Sequence, residues 1–349
     1  MPRTNPLLSY ADTVDRVVPA VVTIRSARRV RAPQQFPFFS DPFFERFFGQ
    51  GNGPQRAPDS GRQQQLGLGS GVIVSPDGYL LTNHHVVDGA EEISIEMPDR
   101  RTFEARLVGS DPPSDLAVLR MSGRDLPILP LGNSDDMRVG DVVLAVGNPL
   151  GIGQTVTMGI ISAKGRATGL SDGSFEDFLQ TDAAINRGNS GGALVNTNGE
   201  LIGINSQILS PTGGNIGIGF AIPSNMARNV WDQIVQHGRV RRGQLGIQVS
   251  GIRPDVADKL NLRDTRGILV AGVGPGSPAE RGGLRPNDVI VKLNGRPVTD
   301  VNSFRIEISS SAPGSQVTLT VIRAGRQQDI RVTLGEFTMP KSLERDDDR

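Results

Sequence analysis

Cysteine is absent, which excludes disulfides, thiolate metal sites and a cysteine nucleophile, and leaves the redox compartment open. Net charge of either sign is also missing. The 37 Lys+Arg balance 37 Asp+Glu, so no global field recruits nucleic acid or an anionic membrane. Aromatic residues are only 5% of the chain, and only four of its cations are lysine. No apolar run approaches the roughly 18 residues of a membrane span. The N-terminus, Met1 to Tyr10, is polar with two prolines and is not expected to act as an export signal. The chain as written is expected to be soluble, although a mature chain whose signal or anchor had been removed would read the same way. No histidine and carboxylate spacing suggests zinc, so neither a metal nor a cofactor is expected.

What is present is globular and rich in strands. A length of 349 residues suggests two or three domains, and 37% hydrophobic residues suffice for packed cores. The 43 glycines punctuate short runs rich in Val and Ile, which predicts a mostly β protein with many turns. A short helix is expected over Ser9 to Val18. Strands are expected at Val21 to Arg25, Leu66 to Ser75, Tyr79 to Thr82, Ile93 to Met97, Phe103 to Val108, Leu116 to Met121, Asp141 to Val146, Val156 to Ala163, Ala193 to Val195, Leu201 to Ser206 and Ile218 to Ile222. Such a series suggests closed barrels or a sandwich. Ser224 reads as the cap of a helix with Ala227, Val230, Trp231, Ile234 and Val235 at helical spacing, ended by Gly238.

The first domain is therefore drawn over 1–238, interrupted by a loop at 31–65 dense in Phe, Pro and Gln. That insertion reads either as a greasy segment packed on its own molecule or as a regulatory or oligomer-contact loop. A short basic linker, 239–243, precedes a small α+β module over 244–336. In it Ser277-Pro278 starts a helix, Asp288 to Leu293 and Asn294-Gly295 form a strand and turn, and Ser303 to Ser309 is helical. Val317 to Ile322 and Ile330 to Leu334 pair across Ala324-Gly325. The remainder, 337–349, is a charged tail.

Chemistry concentrates in Gly188-Asn189-Ser190-Gly191-Gly192, a hydroxyl inside a glycine turn whose N–H groups can converge on one oxygen. Alone this is a weak signal, since a serine in such a turn can merely cap a strand. Serine needs a base to take its proton and an acid to orient that base. Thr82-Asn83-His84-His85-Val86 offers imidazole and Ser114-Asp115-Leu116 a carboxylate, so the order along the chain is His, Asp, Ser. That order matches chymotrypsin-type enzymes rather than subtilisins or α/β-hydrolases. Pattern does not choose between the adjacent His84 and His85, which on a strand would face opposite ways. His237 stands apart, and Asp111 before two prolines reads as a turn residue. The Gly272-Val273-Gly274-Pro275-Gly276 run fails as a dinucleotide fingerprint because proline interrupts it and the third glycine is misplaced.

These stretches, together with Gly147-Asn148-Pro149-Leu150-Gly151, Thr181 to Arg187 and Gly219-Phe220-Ala221-Ile222-Pro223, resemble the HtrA (Deg-type) serine proteases from about Ser9 to Glu336. Gln244-Leu245-Gly246-Ile247, Gly276-Ser277-Pro278-Ala279 and Asn287-Asp288-Val289-Ile290 resemble a PDZ domain. The resemblance implies a chymotrypsin-like double β-barrel followed by one PDZ domain, ATP-independent proteolysis of misfolded proteins, a trimer or larger homo-oligomer, and a periplasmic or envelope location. It also implies stress-response quality control. Its Thr-Asn-x-His-Val pattern implies His85 as general base, with Asp115 as orienter and Ser190 as nucleophile. The N–H groups of Gly188 and Ser190 then form the oxyanion hole, with Asn189 turning the peptide between them. Ile185, Ile216 and Ile218 match the substrate pocket and imply cleavage after small aliphatic residues. Gln244, Leu245, Gly246 and Ile247 match the loop that takes C-terminal peptides, Arg166 a regulatory sensor, and the insertion the family's assembly loop. Two other readings stand beside quality control: a holdase or peptide sensor with residual proteolysis, and a membrane-tethered protease with few substrates.

Overall fold

The computed structural model describes residues 9–29, 64–148, 153–168, 175–186, 188–208, 215–259, 262 and 264–338. The aromatic insertion up to residue 63 and the tail from residue 339 lie outside them, as does Arg187. Two compact units emerge, residues 1–166 with 178–240, and residues 167–177 with 241–349.

The first unit opens with α1 (Ala11–Val17) and is built from two closed six-stranded barrels. One holds β1 (Val21–Arg29), β2 (Gln64–Ile73), β3 (Tyr79–Thr82), β4 (Glu92–Glu96), β5 (Thr102–Asp111) and β6 (Leu116–Met121) in the order β1-β2-β3-β6-β5-β4. The other holds β7 (Val142–Gly147), β8 (Thr155–Arg166), β9 (Phe178–Thr181), β10 (Ala193–Asn196), β11 (Leu201–Ile208) and β12 (Gly219–Pro223) in the order β10-β11-β12-β9-β8-β7. This is the chymotrypsin-like double barrel.

Strand β6 shows why the apolar runs are continuous. Successive side chains point to opposite faces of a strand. Ala117, Leu119 and Met121 fill the first barrel with Val22, Ile24, Ile73, Leu80 and Ile95. Leu116 and Val118 face the other way, into a core shared with Leu144, Val146, Ala193, Ile204 and Phe220 of the second barrel. Both faces are dry, so no polar alternation survives, and each such side chain contributes about 1.5–3 kcal/mol by burial. The shared core locks the two barrels together.

Helix α3 (Ser224–His237) lays Ala227, Val230 and Ile234 on the same core and ends at Gly238 in the left-handed conformation, φ 74°. Ser224 is not its cap, contrary to the sequence expectation. Pro223 occupies that position, and the Ser224 hydroxyl donates to the Gly132 carbonyl at 2.9 Å, because the residue is buried against that loop.

In the second unit β13 (Gly243–Gln244) pairs with β20 (Gly335–Glu336), which ties the start of the module to its end. The main sheet runs β14 (Ile247–Gly251), β15 (Ile268–Val273), β16 (Val289–Leu293), β18 (Gln316–Arg323) and β19 (Arg326–Thr333), with β17 (Arg296–Pro297) beside β16. Helices α4 (Pro254–Lys259), α5 (Pro278–Gly282) and α6 (Val301–Ser310) complete it. Ser277 accepts the Glu280 N–H at 3.1 Å as the N-cap of α5, and Asp300 accepts the Ser303 N–H at 2.9 Å as that of α6. The turn Ala324-Gly325 has φ 48° and 74°, the positive pair a tight hairpin requires. Phe304, Ile308, Leu245, Ile268 and Leu319 form the core. Beneath them the fully buried Asp288 meets Arg323 at 2.7 Å, and this hydrogen bond raises the guanidinium above its usual value.

Candidate active site

Four pieces of chain meet where the barrels face each other: the end of β3 with the turn after it, the start of β6, the turn before β10, and β11. Strand β3 stops at Thr82, Asn83 stays extended, and His84 and His85 open α2 (His84–Val87). The adjacent histidines therefore lie on a helical turn rather than on a strand. His84 Nε2 faces Asp88 at 3.7 Å. His85 turns inward, and its Nδ1 lies 2.9 Å from both carboxylate oxygens of Asp115.

Asp115 is aimed by its backbone. Pro112-Pro113-Ser114 form a single 3-10 turn, and Asp115 leaves it in the left-handed region with φ 55°, an uncommon choice for a non-glycine residue. The carbonyl of Asp115 accepts the His84 N–H at 3.1 Å and Asn83 Nδ2 at 3.0 Å, while Oδ1 also accepts the His85 N–H at 3.1 Å. Imidazole and carboxylate are thus clamped together through main chain as well as side chain. A ring that gives its Nδ1 proton to the carboxylate presents Nε2 as an acceptor. Both groups are largely dry, with side-chain exposures of 9% for His85 and 16% for Asp115. Asp111, expected at a turn, flanks this 3-10 turn, where it is buried and accepts the Ser114 hydroxyl.

Ser190 enters from the second barrel. The turn is folded on itself by Asn189 N–H to Asn186 C=O at 3.0 Å and Gly192 N–H to Asn189 C=O at 2.9 Å, and Gly191 N–H binds Asn205 C=O at 2.8 Å. Gly191 has φ 81°, and a Cβ there would lie 2.1 Å from the Ser70 carbonyl oxygen, so only glycine fits. Among the described residues the N–H groups of Gly188 and Ser190 have no acceptor. The Ser190 hydroxyl donates to the Ser206 carbonyl at 3.0 Å. It has one proton, so giving that proton to an imidazole requires the hydroxyl to turn.

Ser206 went unnoticed in the sequence and is central here. Its Oγ donates to Asp115 Oδ2 at 3.0 Å, so one residue touches both the carboxylate and, through its carbonyl, the Ser190 hydroxyl. A signal existed. Asn205-Ser206-Gln207 interrupts an apolar strand, all three are buried, and buried polar groups need partners.

Of the expected pocket residues, Ile185 is 1% exposed, Ile218 is half-buried against the shared core, and Ile216 is 56% exposed. Asn215 joins their segments, donating Nδ2 to the Ile185 carbonyl at 3.2 Å. Arg166, at the end of β8, donates Nε to Gln180 Oε1 at 3.1 Å. The residues that follow it cluster with the second unit, where Phe175 meets the Arg242 guanidinium at 4.6 Å and the Phe337 ring at 5.4 Å, and Asn302 Nδ2 donates to the Glu176 carbonyl at 2.7 Å.

In the second unit, Leu245 anchors in the core while its carbonyl accepts the Ala279 N–H at 2.9 Å. Gly246, φ 74°, gives its carbonyl to the Gly274 N–H at 2.9 Å, and Gln244 pairs with Gly335. Ile247 begins β14, the end strand of the main sheet, with β15 as its partner. Its other edge is open to a strand-like ligand among the described residues.

Residues 69–204 match the trypsin-like peptidase domain and residues 243–334 the PDZ domain. The chain is 46% identical over 335 residues to the periplasmic pH-dependent serine endoprotease DegQ of Escherichia coli K12, covering 95% of this chain and 71% of DegQ. Against the periplasmic serine endoprotease DegP of the same strain it is 44% identical over 349 residues, covering 93% of this chain and 72% of DegP. The solved HtrA-type protease AlgW with a decapeptide superposes with a TM-score of 0.75 at 47% identity, covering 95% of this chain and 100% of that one. With this fold and these relatives, the chain belongs to the HtrA (Deg-type) family and is a serine endopeptidase whose trypsin-like domain is followed by one PDZ domain.

Proposed function

We propose that the protein is an ATP-independent quality-control endopeptidase that cuts unfolded chains after small aliphatic residues by a Ser-His-Asp acyl-enzyme mechanism. The observation that carries it is the continuous link Ser190–Ser206–Asp115–His85, at 3.0, 3.0 and 2.9 Å. Ser190 Oγ attacks the scissile carbonyl carbon as its proton passes to His85 Nε2, and Asp115 holds the ring and stabilises the imidazolium that forms. The same proton then goes to the leaving amine, and water, deprotonated by His85, releases the acyl group. The N–H groups of Gly188 and Ser190 take the developing oxyanion, and loss of one such donor costs about 2.7–4 kcal/mol. Ile185, with Ile218 and Ile216, shapes the substrate pocket. Their aliphatic walls hold no charge for a basic side chain, which favours Val or Ala.

In this reading the PDZ domain takes C-terminal peptides by strand addition along β14, with the Gln244-Leu245-Gly246-Ile247 loop receiving the carboxylate. Arg166 relays occupancy to the turn that carries Ser190. The bond from the Ser190 hydroxyl to Ser206 supports a resting enzyme that substrate or peptide switches on. Periplasmic relatives support an envelope location, and assembly as a trimer or larger homo-oligomer follows from the family.

The test is digestion of a reduced, unfolded protein by wild type and by Ser190→Ala, His85→Ala and His84→Ala, with product termini read by mass spectrometry. Cleavage after Val or Ala by wild type and His84→Ala, with the other two inactive, is the expected outcome. Activity surviving in His85→Ala overturns the assignment of the base. A wild type that binds unfolded chains yet stays silent even with a C-terminal peptide makes it a holdase instead.

A further inference from the structure

Ser70 is fully buried in β2, on the opposite barrel from Ser190, yet most of its polar atoms serve the turn that carries the nucleophile. Its hydroxyl donates to the Gly188 carbonyl at 2.6 Å and accepts the Asn148 N–H at 2.9 Å. Its N–H donates to the Ser190 carbonyl at 2.8 Å. Its carbonyl is held by Thr82 Oγ1 at 2.7 Å. Asn148 is in turn anchored through Nδ2 to Thr23 Oγ1 at 2.6 Å, and Thr23 is the residue paired with Ser70 across β1 and β2.

A peptide group is planar, so fixing its C=O and N–H fixes the plane. The Gly188–Asn189 peptide is pinned at both ends, its carbonyl by Ser70 Oγ and its N–H by the Asn186 carbonyl at 3.0 Å. The Asn189–Ser190 peptide, which carries the Ser190 N–H, has its carbonyl held by the Gly192 N–H at 2.9 Å, and the next carbonyl is held by the Ser70 amide. Gly188 itself has φ 92°, and glycine has the widest choice of backbone conformations. Nothing intrinsic to such a residue holds its N–H toward the cleft. Restraint must come from neighbours, and Ser70, on a strand of the other barrel, fixes the peptide on the C-terminal side of Gly188.

We infer that Ser70 is a positioning residue for the oxyanion turn: it fixes the Gly188–Asn189 and Ser190–Gly191 peptides, which flank the peptide bearing the Ser190 N–H, and so holds that N–H in the orientation the substrate carbonyl oxygen needs. This deepens the proposed mechanism and rests on Ser190 being the nucleophile. The Asn148 N–H occupies a lone pair of Ser70 Oγ, which leaves the hydroxyl proton for Gly188. Ser70→Ala removes both bonds, and Ser70→Thr keeps the hydroxyl. Thr82→Val removes a buried hydroxyl bond to Ser70 without touching either carbonyl of the turn, and so controls for lost stability.

The experiment compares wild type, Ser70→Ala, Ser70→Thr, Thr82→Val and Ser190→Ala in full-length protein. It reads kcat and KM on a peptide substrate, the affinity of a peptide aldehyde that forms a tetrahedral adduct at the nucleophile, and the thermal midpoint. A fluorophosphonate probe reports the nucleophile separately. Ser70→Ala is expected to lose about 10- to 100-fold in kcat with KM little changed, and to lose aldehyde affinity in proportion. Ser70→Thr is expected to recover most of both, and Thr82→Val to change the midpoint more than the aldehyde affinity. Wild-type kcat and aldehyde affinity in Ser70→Ala would refute the inference, as would equal losses in Thr82→Val. If Ser70→Ala and Ser70→Thr are both too unstable to assay, amide exchange at Asn189 and Gly192, whose N–H groups close the turn, in Asn148→Ala, which unseats the Thr23 anchor, decides: unchanged protection there counts against the inference. Phosphonylation that persists in Ser190→Ala removes the catalytic reading itself, whatever Ser70 does.

Discussion

Removing the Ser206 hydroxyl tests the least obvious part of the site. Asp115 Oδ2 receives the His85 ring at 2.9 Å and Ser206 Oγ at 3.0 Å, while Oδ1 also holds the His85 amide at 3.1 Å. Ser206→Ala takes away one hydrogen bond to a charged group and leaves the imidazole contact intact. Such bonds contribute about 1.5–3 kcal/mol. With the Asp115 side chain 16% exposed, water replaces part of the loss, so the lower end applies. If the carboxylate is needed chiefly when His85 becomes imidazolium, about 1.5 kcal/mol of this appears in the transition state. That is roughly tenfold in kcat/KM, carried by kcat. By contrast Asp115→Asn, which presents the wrong partner to the ring, is expected to cost about 10⁴. Initial rates on a peptide with Val before the scissile bond, with the thermal midpoint alongside, measure both. A Ser206→Ala enzyme within twofold of wild type would show that the bond does not support the carboxylate. A loss as deep as that of Asp115→Asn would show that Ser206 does more than orient.

Arg323→Met strands the buried Asp288 carboxylate, and because the arginine is only partly covered the cost is expected near the low end, ~3 kcal/mol. Calorimetry should show the PDZ transition falling while peptide cleavage in the trypsin-like domain is unchanged. Asp300→Ala removes the cap of α6 and is expected to cost about 1 kcal/mol. Burial pushes the Asp300 carboxyl up, but hydrogen bonds from the Ser303 amide and hydroxyl and from Thr299 outweigh it, so its folded value is lowered. Its contribution is therefore complete above the unfolded value of about 3.9, and is lost as pH falls through the lower folded value. The gap between wild type and variant in thermal midpoint should be constant from neutral pH to about 5 and shrink below about 4. If Ile185 shapes the substrate pocket, Ile185→Ala, which removes the side chain lying against Gly219, should move preference from Val toward Leu or Phe by roughly tenfold. Product termini settle it, and an unchanged cleavage pattern removes Ile185 from the pocket.

Much of the architecture was legible because its signals are local. Continuous apolar runs such as Leu116 to Leu119 show strands buried on both faces, and Ser277-Pro278 and Ala324-Gly325 announce a helix start and a hairpin through backbone chemistry that operates within a few residues. The misreadings came from contacts distant in sequence. Ser224 looks like a cap but is recruited by Gly132, 92 residues away in the chain. His84-His85, which the sequence left without an assigned element after the strand ending at Thr82, lies on a helical turn whose first two amides are held by Asp115.

By itself the sequence determined the reactive groups and their order, the glycine turn that only glycine can make, and two barrels' worth of short strands. Tertiary structure alone decided that the adjacent histidines lie on a helical turn, that Ser206 joins Asp115 to the Ser190 hydroxyl, and that Ser70 reaches across from the other barrel. The reason is physical. Glycine, proline and apolar periodicity act on the chain locally, whereas a hydrogen bond between residues about a hundred positions apart, as between Ser70 and Gly188, exists only after two hydrophobic cores have packed and excluded water from it.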